Sequence, residues 1–316
     1  MILRPSDIQK DLNHLRENGI QRGLSTGFSC LDPYFTVKLG STLDILAAPY
    51  SGKTEFAFDL QYQLSEKHGL KHLVYSPETG TVADIYAQLA HKRAGKPFYG
   101  DYKMDEAESI EAMMWVEEHF YVVDSQWTGT LEDFYALRDE YEAENGIKIT
   151  TTLVDPWNEM QTDFGQYGGR EDKYLDNVLS MRRRDAIARD GYNIICWHPR
   201  DQAMLYETVN GNKKGYYPSP KPQETQGGQA IFRKAMSFIS MWRPPIWLND
   251  EHGHPYDETQ TIITIHKAKP KGVSERNKTK GKTSLFYDWR TTRFKEQEVV
   301  DYGNKENITI DDKPPF

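Results

Sequence analysis

The chain is 316 residues long, 38% hydrophobic and 27% charged, enough for one large α/β domain with short extensions or for two small domains. It has no run of about 18 apolar residues, so no membrane-spanning segment is expected. The net charge of −8 excludes a uniformly basic nucleic-acid binder and leaves any such contact to local patches. One such patch is Lys267 to Lys282 (KAKPKGVSERNKTKGK), where Glu275 is the only acid, whereas Asp101 to Glu118 and the tail around Asp311 and Asp312 are acidic. The two cysteines, Cys30 and Cys196, are too few for a disulfide framework and suit a reducing cytoplasm.

The N-terminal stretch spaces Ile8, Leu12 and Leu15 as on a helix over 6–18, with Ser6 as N-cap and Gly19 as C-cap. This pattern reads as structure rather than a secretory signal, and the helix packs either on its own domain or on a neighbouring subunit. β-Rich apolar runs then recur at Leu43 to Ala47, His72 to Ser76, Phe120 to Asp124, Ile149 to Asp155 and Asn193 to Trp197, separated by helical patterns. Strands alternating with helices predict a parallel sheet. Beyond residue 229 the spacing tightens, and Ala235 to Trp242, Thr261 to His266 and Ser284 to Trp289 predict antiparallel strands at one edge of the same sheet. Gln161 to Arg170 and Asp201 to Gly228, rich in Gly, Pro and Asn, read as long loops.

Ala47-Ala48-Pro49-Tyr50-Ser51-Gly52-Lys53-Thr54 directly follows the first apolar strand and precedes an amphipathic segment, Glu55 to Ser65. That is the context of a phosphate-binding loop. Backbone N–H groups and a helix N-terminus surround the β- and γ-phosphates, Lys53 adds a point charge, and the Thr54 hydroxyl ligates Mg²⁺. Ala47 departs from the general pattern, which has glycine there. Asp155, at the end of its strand, reaches the same sheet edge as a candidate acid for the metal shell. Glu78 follows the strand at His72 and can orient or deprotonate the attacking water, and His198 follows the strand at Asn193. Polar residues at the carboxyl ends of several parallel strands predict a ligand crevice at that edge.

These residues resemble the helicase domains of the DnaB type, most closely the Twinkle-like and phage primase-helicase group. The resemblance is carried by Gly23 to Phe28 with Leu31-Asp32, the loop AAPYSGKTEF, the VYSPE stretch ending at Glu78, LVDPWNE from Leu153 to Glu159 and CWHPR from Cys196 to Arg200. It implies a RecA-like P-loop NTPase core from residue 23 to 296, flanked by an N-terminal linker helix (1–22) and an acidic tail (297–316). It implies ATP or another NTP with Mg²⁺, Lys53 and Thr54 on phosphate and metal, Asp155 in the metal shell, Glu78 as catalytic base and His198 as γ-phosphate sensor. The family also tolerates alanine at the first loop position. Its arginine finger sits in a Lys-x-Arg pair, and the equivalent here, Lys267-Ala268-Lys269, places lysine where arginine is expected; lysine brings charge without the planar fork. The segment Gly227 to Arg233 resembles the stretch after the family's central DNA-binding loop.

The resemblance further implies a homo-oligomeric ring, a hexamer, encircling single-stranded DNA. Lys213, Lys214 and Arg200 would meet phosphates and Tyr216 or Tyr217 would stack on bases. A primase, loader or other replisome protein is the expected partner, and a phage or plasmid system the expected setting; priming by this chain is not expected. The end Asp311 to Phe316 resembles the acidic, Pro-Phe-terminated tips of single-stranded DNA-binding proteins. A strand-exchange or clock-type RecA-fold ATPase, and a loading protein with weak turnover, remain open.

Overall fold

The computed structural model describes residues 2–200, 202–225, 227–275 and 278–297. The acidic tail beyond Gln297, with its Pro-Phe end, lies outside the described residues, as do Asp201 and the pair 276–277 of the basic stretch. Helix α1 (Gln9–Asn18) follows a 3-10 turn at Pro5–Ile8 and ends at Gly19, whose N–H bonds the Leu15 carbonyl. Ser6 therefore lies inside a turn and is not the expected N-cap. Pro5, with fixed φ and no N–H, suits the first helical position, and the Asp7 carboxylate accepts the Arg4 N–H at 2.8 Å. No residue of α1 is buried.

The alternating part of the chain comprises β1 (Ser41–Ala47), α2 (Lys53–His68), β2 (His72–Tyr75), α3 (Val82–Ala94), α4 (Glu106–His119), β3 (Phe120–Val122), α5 (Leu131–Asn145), β4 (Thr151–Val154), α6 (Glu171–Arg189) and β5 (Tyr192–Trp197). Thr81, Asp105 and Thr130 start α3, α4 and α5 with reciprocal capping boxes. The segment Glu55 to Ser65 lies within α2 and is buried almost all round rather than amphipathic, because α2 is sandwiched between the sheet and α3.

The remainder forms β6 (Leu205–Val209), β7 (Asn212–Tyr216), α7 (Gln229–Lys234), β8 (Ser237–Trp242), β9 (Gln260–Ala268), β10 (Gly281–Asp288) and β11 (Arg293–Lys295). The expected loop from 201 to 228 is thus corrected: it holds a two-stranded antiparallel hairpin turning at Asn210-Gly211, both at positive φ. An Asn-Gly pair is the preferred residue choice for a type I′ hairpin turn.

Among the described residues, nine strands make one sheet in the order β11-β10-β9-β8-β1-β5-β4-β2-β3. From β8 to β3 all neighbours are parallel, and β9, β10 and β11 add antiparallel strands at one edge. This is the expected α/β, RecA-like architecture. Local hydrogen bonds trim the expected strand ends. Ile149 gives its N–H to the Glu142 carboxylate at 2.6 Å, Asp124 accepts the Gln126 N–H, Ala235 caps α7, and Asp288 accepts the Arg290 N–H. One apolar cluster lies under α2, α3 and α4 and another under α5, α6 and α7, so helices cover both faces. Among the described residues no helix is long and apolar enough to cross a membrane.

Candidate nucleotide site

β1, β4 and β5 are neighbours and parallel, so their carboxyl ends converge. Between β1 and α2 the loop holds Tyr50 at φ 64° and Gly52 at φ 79°, bracketing Ser51. Left-handed residues on either side of an ordinary one turn successive N–H groups into a concavity that favours anions. α2 then starts at Lys53 and adds its N-terminal N–H groups and the positive end of its dipole. Ala48, Pro49, Tyr50, Ser51, Gly52, Lys53, Thr54, Glu55, Glu78 and His198 line the resulting cleft of ≈ 630 Å³.

Only 7% of Lys53 is exposed, and its ammonium lies 3.1 Å from Asp155 Oδ1 and 3.5 Å from His198 Nε2. The Thr54 hydroxyl donates to Asp155 Oδ2 at 2.5 Å, and the Ser76 hydroxyl reaches the same oxygen at 3.4 Å. His198 Nε2 is also 3.5 Å from Glu78 Oε2, so the ring stands between the P-loop lysine and the candidate base. Beneath them Cys196 is fully buried. Burial first, and the Asp155 carboxylate second, hold its thiol well above its ordinary pKa, and it stays neutral.

The side chains fit a magnesium ion. Buried Asp155 Oδ1 is met by the Lys53 ammonium alone, with no other hydrogen-bond donor among the described residues, and Thr54 supplies a hydroxyl beside the carboxylate. Hard oxygen ligands of this kind hold Mg²⁺ together with substrate phosphates and water.

The structure joins Lys53, Thr54, Glu78, Asp155 and His198 with the loop Ala48 to Gly52 and places the expected finger and DNA-contact residues elsewhere. Lys267, half-buried beside a β-bulge in β9, donates to the carbonyls of Phe232 and Arg233 at 2.6 and 3.1 Å within its own protomer. Burial, followed by the charge of Lys269, lowers its pKa. Lys269 is exposed just past β9. Lys213 and Lys214 lie on β7, over the rings of Tyr206 and Trp247 at 4.4 and 5.5 Å. Tyr216 packs edge-on against Trp247, and Tyr217 accepts a bond from Trp242 at its carbonyl. Arg200 lines a separate cavity between α6 and the 223–228 turn.

Sequence reasoning did not find the buried pair Asp44–Arg182 (2.6 Å), in which Asp44 also accepts the Trp197 Nε1–H at 2.9 Å. Nor did it find Glu55, which lines the cleft while bound to Lys92 at 2.6 Å and to Gln88. The partners come from distant parts of the chain and leave no local pattern.

The sheet order and this edge can now be set beside known proteins. A DnaB-like replicative helicase, solved in a study of its interactions with primase, superposes with a TM-score of 0.66 at 15% identity, over 94% of this chain and 68% of that one. The ATPase domain of G40P superposes with a TM-score of 0.69 at 15% identity, over 92% of this chain and 99% of that domain. The chain has the fold of a DnaB-type helicase ATPase domain. In sequence, a Twinkle homolog protein, chloroplastic/mitochondrial, from Arabidopsis thaliana is 28% identical over 298 residues, 92% of this chain. The chain spans 39% of that relative's length. No protein-family model matches. The resemblance read from the motifs and the fold of these DnaB-type domains therefore agree.

Proposed function

We propose that this chain is the NTP-hydrolysing motor of a replicative DNA helicase, working as a ring, most simply a hexamer, on single-stranded DNA. The reading is carried by one observation: Lys53, Thr54, Asp155, Glu78 and His198 meet in one cleft behind a P-loop. Lys53 and the loop N–H groups bind the β- and γ-phosphates and stabilise charge as it develops. Mg²⁺, when bound at Thr54 and Asp155, neutralises phosphate charge. Glu78 accepts a proton from the attacking water, and His198, in reach of both Lys53 and Glu78, reports loss of the γ-phosphate to the segment that leads into the β6–β7 hairpin. Lys269, exposed and unburdened by the internal bonds that engage Lys267, is the better placed lysine to act on a neighbouring protomer's nucleotide.

The hairpin, with Lys213, Lys214 and the nearby aromatic rings, is the proposed DNA contact, together with Arg200 and Tyr217. α1, which buries nothing on its own domain, is the proposed docking element between subunits. A primase, loader or other replisome protein is the proposed partner, in the cytoplasm of a cell hosting a phage or plasmid replication system. Hydrolysis measured with and without single-stranded DNA, and unwinding of a forked duplex, test the reading. DNA-stimulated turnover with unwinding by the wild type, lost in Lys53→Ala, is expected. Filaments without unwinding would instead indicate a strand-exchange protein, and negligible turnover a loader.

A further inference from the structure

Glu55 brings a negative charge to the triphosphate cleft. It follows Thr54 in the first turn of α2, lines the same cleft, and its side chain is 24% exposed. A free carboxylate there would repel phosphate groups and compete with them for Mg²⁺. Instead it is held from α3. Lys92 pairs with Oε2 at 2.6 Å, and Gln88, one turn earlier on α3, donates to Oε1. Among the described residues Lys92 alone forms an ion pair with Glu55.

Lys92 is fully buried, a state that lysine adopts almost only when paired. Its ammonium also donates to the Thr292 carbonyl, in the turn that enters β11. Thr292 holds φ 54°, a strained conformation for a β-branched residue that persists only where the surroundings impose it. Arg293, the next residue, is engaged elsewhere: it donates to the Lys92 carbonyl at 2.6 Å and lies over the Tyr62 ring. Phe294 then closes the arrangement on α2. Its N–H meets the Asp59 carboxylate, its ring stands edge-on to Phe56 at 6.0 Å, and a Cβ added at Gly52 would come to 3.4 Å from that ring. β11 thus braces the P-loop helix while its entry turn fixes the lysine that faces Glu55.

We propose that Lys92 is a positioning residue of the nucleotide site: it holds the Glu55 carboxylate against α3 and cancels its charge, so that the P-loop meets the triphosphate with its positive groups uncontested. The proposal rests on the nucleotide reading of the cleft and adds to it a control on the charge of that cleft. Lys92 reaches neither phosphate nor metal and acts only through Glu55. Losing it leaves an acid beside the phosphates, and affinity falls by about tenfold, the scale of one uncompensated charge near another at the effective dielectric of a protein surface.

The test measures binding of ATP and of inorganic tripolyphosphate, each with Mg²⁺, alongside ATP hydrolysis. Lys92→Met should raise Kd for both ligands and KM for ATP about tenfold, with kcat little changed, because the lost interaction acts on bound substrate and transition state alike. The same ammonium also attracts buried Asp59, so a double variant isolates the Glu55 pairing. Glu55→Gln combined with Lys92→Met should return both Kd values to within about twofold of the wild type. A purely structural lysine would instead lower the melting temperature in both variants and leave the affinity unrestored in the second. Unchanged Kd in folded Lys92→Met, or a raised Kd that Glu55→Gln does not restore, would overturn the proposal while leaving the P-loop reading intact. Should Lys92→Met fail to fold, Gln88→Met, which frees one Glu55 oxygen without stranding a charge, carries the same comparison: a raised Kd abolished by Glu55→Gln supports the proposal, and an unchanged Kd overturns it. Failure of the wild type to bind either ligand would overturn the nucleotide reading and the proposal with it.

Discussion

Tyr50 occupies the left-handed region at φ 64° with 97% of its surface exposed, so its own chain gives back nothing for the conformation it adopts. A non-glycine residue there costs roughly 1–2 kcal/mol, and glycine would forfeit roughly 0.4–1 kcal/mol of that through greater freedom of the unfolded chain. Tyr50→Gly is therefore expected to stabilise the protein by about 0.5–1 kcal/mol, read as a rise in the urea midpoint at constant slope. The opposite holds at Asp44. Its carboxylate is fully buried against Arg182 and Trp197, and Arg182 also donates to the carbonyls of Leu43 and Asn193. Asp44→Ala leaves a buried guanidinium without its counter-charge, a change that typically costs about 3–5 kcal/mol. An urea midpoint within experimental error of the wild type would refute that expectation. These two sites also mark what was legible. Tyr50, Lys53, Asp155, Glu78 and His198 were readable because each stands at a strand end or in a loop whose spacing carries its chemistry. Asp44 was hidden inside an apolar run, with a partner 138 positions away, and Glu55 was hidden because its cation comes from another helix.

At the level of elements, the parallel strands were legible from apolar runs separated by helical patterns, while β6–β7 was not. Its strands are exposed and polar, so they lack the buried alternation by which a strand announces itself; only Asn210-Gly211 signalled the turn. The hairpin stacks Lys213 and Lys214 over aromatic rings at the surface. If both lysines meet phosphates, Lys213→Ala with Lys214→Ala should flatten the dependence of log K on log salt by roughly 0.7 per lost contact on single-stranded DNA. Fluorescence anisotropy across a salt series reads this slope, and an unchanged slope would remove the hairpin from the DNA path. α1 makes a complementary case. It buries no residue of its own, and Leu12, Leu15 and Ile20 stay exposed. Deleting residues 1–19 should shift stability by less than about 0.5 kcal/mol while lowering the oligomeric mass seen in sedimentation. Loss of stability with assembly intact would show that α1 packs on its own domain.

The whole molecule's response to acid follows from two buried groups, His72 and Asp59, and the half-buried His266, which pull in opposite directions. His72, fully buried between the Ser65 and Thr151 hydroxyls at 2.8 and 2.6 Å, is lowered by burial to about 3, and His266 to about 4. The unfolded chain takes up protons at both near pH 6.5. Stability from these histidines is thus present above that value and lost as pH falls toward 4. Asp59 does the reverse. Burial raises it to about 6, against the attraction of Lys92 and a bond from the Phe294 N–H, while the unfolded carboxyl titrates near ~3.9. Between these values the folded protein keeps a proton that the unfolded chain releases, so Asp59 contributes stability at low pH that is lost as pH rises through about 6. From pH 6 to 4 the net is therefore a loss of stability on acidification, with Asp59 offsetting one of the two histidine protons. Asp59→Asn removes the offset. Its stability should fall more steeply than the wild type's over this window, by up to ~1.4 kcal/mol per pH unit. Urea unfolding at half-unit pH steps would detect the difference, and parallel curves would mean that Asp59 titrates alike in the folded and unfolded chains.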